Sequence, residues 1–144
     1  MTAKKWLSRA RRIDREINEL LGMLQATRER LTKITQEFNR DTVSGSHDPH
    51  KYDKLLELEE KVDSRVDELI GVKAEILDMI NQLPDRNQRI CLCSYYLAMN
   101  TWEQTAVLLH YSYKQTLRIH GYALKEIDKL INREGDAVVN KTPY

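Results

Sequence analysis

Two helix-start signals stand close together near the end of this chain, and they constrain its fold more than any other feature. Thr101 is followed three residues on by Gln104, and Ser112 three residues on by Gln115. In each pair the hydroxyl can accept from the third backbone N–H while the glutamine reaches back to the cap residue's own N–H, satisfying two orphan donors at once. Between the two helices only His110 and Tyr111 remain for a turn. A connection that short forces consecutive helices to cross steeply, which predicts a helix-turn-helix. The helical period places Trp102, Ala106 and Leu109 of the first helix against Thr116, Ile119, Ala123 and Ile127 of the second.

The opposite face of the second helix carries Tyr113, Lys114, Gln115, Arg118, Tyr122 and Lys125, with no acid before Glu126. Lysine and arginine neutralise phosphate or read guanine edges, glutamine reads adenine, and tyrosine packs on sugar or a thymine methyl. With the cap residues Thr101 and Ser112, these side chains form the expected contact set for double-stranded DNA. A short run of charges on a solvated helix is the bland alternative, and the adjoining caps and turn weigh against it.

The register T-x-E-x-x-A-x-x-L-x-x-S-x-x-x-x-x-x-I-x-x-x-A-L-K is met by Thr101, Glu103, Ala106, Leu109, Ser112, Ile119, Ala123, Leu124 and Lys125. It resembles the C-terminal DNA-binding region of bacterial sigma factors, over residues 85 to 130. The resemblance implies a tri-helical unit whose first helix spans Asp85 to Met99. It implies that the helix after Ser112 enters the major groove with Tyr113, Lys114 and Arg118 at base-reading positions, and that the preceding helix meets DNA backbone and core RNA polymerase. Tyr113 and Lys114 replace the family's usual arginine-glutamate pair, Leu117 replaces a basic residue, and His110 stands where glycine is usual, so promoter preference does not transfer. Histidine enters positive φ more readily than bulky or β-branched residues. Nothing upstream resembles the aromatic-rich sigma segment that melts promoters. The whole chain is also similar to small regulatory proteins of phages and prophages of Gram-positive bacteria, which implies transcriptional control.

The remainder reads as a coiled-coil stalk. From Trp6 to Phe38 alternating steps of four and three residues align Trp6, Ala10, Ile13, Ile17, Leu20, Leu24, Thr27, Leu31, Ile34 and Phe38. A second seam joins Tyr52, Leu55, Glu59, Val62, Val66, Leu69, Lys73, Ile76, Ile80 and Leu83, and stops at Pro84. The Ser-, Gly- and Pro-containing stretch over about 41–51 marks a loop between them. The expected organisation is therefore all-α: an antiparallel helical hairpin over 1–84, a helix-turn-helix unit over 85–133, and a flexible tail over 134–144. Gly22 and Gly71 fall at similar heights of such a hairpin, where backbones could approach closely. A second apolar line of Leu7, Leu21, Leu56, Ile70 and Leu77 is too wide for two helices to bury. It requires either that the helix-turn-helix fold back or that two stalks form a homodimer, and the homodimer is slightly favoured. Lys4, Lys5, Arg9, Arg11 and Arg12 cluster without an acid at the start of the first helix, opposing its dipole. They form an expected auxiliary surface for DNA backbone.

Composition narrows the function classes. With 41% hydrophobic and 31% charged residues in 144, the chain is too polar for one large core. No apolar run approaches twenty residues and no secretory leader is visible, so a cytoplasmic protein without membrane partner is expected. Cys91 and Cys93 lie on different sides of a helix and read as small, partly buried residues. The histidines His47, His50, His110 and His120 lack zinc-ligand spacing to them. No phosphate loop, nucleophile elbow or metalloprotease motif is present, so neither an enzyme nor a cofactor, metal or small-molecule substrate is expected. The leading reading is a sequence-specific transcriptional regulator. The alternatives are a phage terminase small subunit, which packages DNA, and an adaptor that docks on RNA polymerase or a sigma factor without reading DNA.

Overall fold

A computed structural model describes the backbone of residues 1–40 and 50–140. Among these the regular elements are all helical: α1 (Ala3–Arg40), α2 (Asp53–Ile80), α3 (Arg86–Leu92) continued by a π-helical turn (Cys93–Leu97), α4 (Trp102–Leu109) and α5 (Tyr113–Asn140). The all-α class is as expected. Most of the interhelical loop, residues 41–49, lies outside the described residues, as do 141–144. Helix α5 runs on to Asn140, so 134–140 is helix rather than tail. Gly135 alone is too weak a breaker to stop a helix that meets no proline before Pro143.

The chain divides into two compact bodies, one of Met1–Arg12 with Ile70–Tyr144 and the other of Ile13–Leu69. The expected boundary at Pro84 is thereby displaced, because the start of α1 and the last turns of α2 belong to the same body as the helix-turn-helix. In that body Leu7, Ile76, Ile80, Leu92, Tyr96 and Ile127 are all buried to below 2% exposure. The Ala3 N–H donates to Asp128 Oδ1 at 2.7 Å, and Arg11 Nη1 donates to the Tyr95 carbonyl at 2.6 Å. Of the second apolar line, Leu7 is thus covered within the chain, while Ile70 and Leu77 stay exposed. Fold-back rather than a second copy accounts for Leu7.

The turn after Pro84 starts α3 as the sequence requires: the Asp85 carboxylate accepts from the Asn87 N–H at 2.8 Å and the Gln88 N–H at 3.3 Å. The expected single helix to Met99 is interrupted. After Leu92 the ladder widens, with the Ala98 N–H donating to the Cys93 carbonyl at 2.9 Å, and the segment ends at Met99 with φ 60°. A buried polar knot coincides with this turn. Ser94 Oγ and Thr105 Oγ1 are 2.8 Å apart, and Asn100 Nδ2 donates to Ser94 Oγ at 3.0 Å. Such a turn, rare in helices, satisfies polar groups that a regular α-turn at the same place would leave to other partners.

In the body of Ile13–Leu69, Ile13, Ile17, Leu24, Leu58 and Leu69 are buried. Ion pairs join Glu16 to Arg65 at 3.4 Å and Arg28 to Glu59 at 3.0 Å, and Lys51 Nζ donates to Thr35 Oγ1 at 3.1 Å. Numbers rise on α1 as they fall on α2, so these two segments run antiparallel. Glu59, an apparent interruption of the seam, is matched by Arg28. Val66 departs from the expected seam at 36% exposure, and Leu21 and Leu56 are exposed. A Cβ added at Gly22 or at Gly71 would meet nothing within 4 Å, so neither glycine marks a close backbone approach.

Candidate nucleic-acid interface

Both capping boxes form. Thr101 Oγ1 accepts from the Gln104 N–H at 3.2 Å while Gln104 Oε1 accepts from the Thr101 N–H at 2.9 Å. Ser112 Oγ accepts from the Gln115 N–H at 3.1 Å, and Gln115 Oε1 lies 3.5 Å from the Ser112 N–H, a weaker return. Helix α4 ends at His110 with φ 59° and ψ 36°, the left-handed cap. The Tyr111 N–H donates to the Ala106 carbonyl and the His110 N–H to the Val107 carbonyl, the paired closure that stops a helix sharply. Local chemistry at Ser112 and His110 therefore fixes where α5 begins.

The inner face of α5 buries Thr116, Ala123 and Ile127, and α4 buries Thr105, Ala106 and Leu109. Trp102 and Ile119 are half-buried. Thr105 Oγ1 also donates to the Thr101 carbonyl, and Thr116 Oγ1 to the Ser112 carbonyl, both at 2.9 Å. These bonds let hydroxyls enter an otherwise apolar contact without unsatisfied donors.

The outer face holds Tyr113, Lys114, Gln115, Arg118, Tyr122 and Lys125, all exposed, and the exposed caps Thr101 and Ser112 stand at the helix starts. Lys114 and Arg118 have no ion-pair partner among the described residues, and Lys125 Nζ sits 5.8 Å from the centre of the Tyr122 ring. Gln115 is different in kind from its neighbours, since its carbonyl is directed back at its own cap. Two members of this face were not among the expected contacts: Leu117 and Gly121, both exposed. Their position one turn from Tyr113 and from Leu117 respectively was visible in the sequence, but their lack of charge hid them. On the flank of the same face, Arg118, Tyr122 and Gln115 join Tyr111, Asn87, Gln88 and Asp85 in lining an open groove of about 370 Å³.

The amino-terminal cations separate into two groups. Lys4, Lys5 and Arg12 are exposed. Arg11 is half-buried, its guanidinium 4.1 Å from the centre of the Tyr95 ring as well as bonded to the Tyr95 carbonyl. Arg9 Nε donates to the Trp6 carbonyl at 2.9 Å, and its Nη2 lies 3.3 Å from Glu75 Oε1, near enough for charge pairing but not aligned as a hydrogen bond. Arg9 and Arg11, both half-buried, thus make packing contacts within the chain, unlike the exposed Lys4, Lys5 and Arg12. Periodicity alone does not tell which cations of a basic run face a neighbouring element.

Behind the outer face lies an aromatic cluster. Tyr95 stacks on Trp102 with ring centres 3.8 Å apart, and the His120 ring is 4.5 Å from Trp102 and 5.7 Å from Tyr96. Burial, with a smaller contribution from Lys4, lowers the His120 pKa to about 4, so the ring is neutral at physiological pH. Burial also pushes the Cys91 thiol up to about 12 and raises that of Cys93 against the opposing charge of Arg89. Both shifts favour the protonated thiol at neutral pH. No family model, curated protein or solved structure matches the chain.

Proposed function

We propose that this chain is a sequence-specific DNA-binding transcriptional regulator, a sigma-like helix-turn-helix protein of phage or prophage origin that acts in the cytoplasm. The observation that carries the reading is the outer face of α5. Lys114 and Arg118 are exposed there, without ion-pair partners among the described residues, on a helix whose start is fixed by a capping box and a left-handed turn. Phosphate contacts from Lys114, Lys125 and the exposed Lys4, Lys5 and Arg12 supply affinity, and Arg118 supplies base reading. Among the described residues no helix is long and apolar enough to cross a membrane.

A specific feature favours a second contact. Val107 and Leu108 on α4 are 73% and 54% exposed, an apolar pair on the helix that precedes the reading helix. A protein partner such as RNA polymerase would cover it, as an adaptor reading requires. Selection of duplexes from a random pool by the purified full chain tests the proposal. Enrichment of a defined sequence is expected. Failure to enrich any sequence at low and moderate salt, with binding to polymerase retained, would replace DNA reading with the adaptor role.

A further inference from the structure

Leu117 is the one aliphatic side chain among the exposed residues Tyr113, Lys114, Arg118, Gly121, Tyr122 and Lys125 of α5, and it is 38% exposed. Residues four apart on an α-helix lie within about 40° of one another, so Tyr113, Leu117 and Gly121 form one line along the face. Side chains lean toward the helix start, and the residue that would cover Leu117 from the next turn is number 121. That residue is glycine. A Cβ there would meet nothing within 4 Å, so no packing inside the chain calls for its absence. The result is a bare apolar spot, with Tyr113 on its amino-terminal side, Arg118 next to it in sequence and Lys114 one turn before it.

We infer that Leu117 is a specificity-determining residue that selects thymine through its 5-methyl group, with Tyr113 completing the apolar contact. The inference rests on the assignment of α5 as the groove-reading helix. Charge complementarity identifies the occupant: Lys114, Arg118 and Lys125 draw phosphate to this face, and the face holds no acid before Glu126. On the base edges of a duplex major groove the thymine methyl is the apolar group, and an aliphatic side chain discriminates it from the donors and acceptors around it. Gly121 keeps the line low enough for the helix to approach.

The test uses the full chain and the duplex it selects from a random pool, with each thymine of that duplex replaced in turn by uracil, which removes only the methyl. At one or two positions uracil is expected to weaken wild-type binding about fourfold, the effect of one methyl's burial. Leu117→Ala should bind the thymine duplex correspondingly less tightly and lose the thymine-uracil difference there, whereas Leu117→Met should retain it. Circular dichroism establishes that each variant is folded, and the uracil series on the wild-type protein stands without any variant. If a duplex is selected but uracil is tolerated at every position, or if Leu117→Ala keeps the full difference, thymine selection by Leu117 is overturned while groove reading survives. If no duplex is selected, both fall.

Discussion

Tyr96 and His120 are joined by a 2.7 Å hydrogen bond between the phenol oxygen and Nε2, linking the π-helical turn to the helix that carries the outer face. Tyr96 is 1% exposed, and burial, ahead of the smaller effects of Tyr95 and Cys91, raises its pKa. Neither ring carries charge at neutral pH, so the link is a neutral hydrogen bond within an aromatic cluster.

That arrangement makes stability depend on pH in a defined window. His120 has its folded pKa lowered from 6.5 to about 4. Between these values the unfolded chain binds the proton and the folded chain does not, so stability falls as pH drops from 6.5 toward 4. Thermal melts of wild type and His120→Asn across this range should show a smaller loss in the variant. Equal slopes would mean that His120 is solvated when folded.

Arg11 and Arg12 are neighbours in sequence with different tasks. Arg11→Ala removes a bond to the Tyr95 carbonyl and a ring contact, and should cost about 1.5 to 3 kcal/mol of stability, as hydrogen bonds to charged groups do. Arg12→Ala should leave stability within about 0.5 kcal/mol, as exposed substitutions do, and lower the salt dependence of DNA binding. Denaturant titration and binding at several salt concentrations check the pair. The reverse assignment would show that the guanidinium of Arg11 is free.

Gly121→Ala should move stability and binding in opposite directions. Alanine in a helix interior is favoured over glycine by about 0.5 to 1 kcal/mol, and space exists for the methyl. Affinity for the selected duplex should nevertheless fall. A variant that is more stable and binds equally well would remove the argument for close approach at this position.

Ile17 and Val66 belong to one body but differ in burial, at 6% and 36% exposure. Ile17→Asp should therefore destabilise strongly, by several kcal/mol, because an unpaired charge enters an apolar contact. Val66→Asp should be tolerated far better. Similar losses in urea unfolding would show that the Val66 side chain is buried after all.

How much of this was legible in the sequence follows the range of the interactions. Thr101, Ser112 and His110 act on backbone groups a few residues away, so their spacing alone announced two helix starts and the turn between them. The inner face of α5 was likewise legible from period. The π-helical turn was not, because Ser94 meets Thr105 and Asn100 through tertiary contacts that no local pattern encodes. The roles of Arg9 and Arg11 were hidden for the same reason: Tyr95 and Glu75 are distant in sequence. Leu117 carries no charge or hydrogen-bonding group, so its residue type alone does not mark it as part of the outer face.

The most direct test of the account is a binding titration of Arg118→Ala against wild type on the selected duplex and on a scrambled one, at several salt concentrations. If Arg118 reads a base edge, the variant should lose about 1 to 3 kcal/mol on the selected duplex, relax preference at one or two positions, and change little on the scrambled one. Unchanged affinity and unchanged preference on the selected duplex would contradict groove reading by α5.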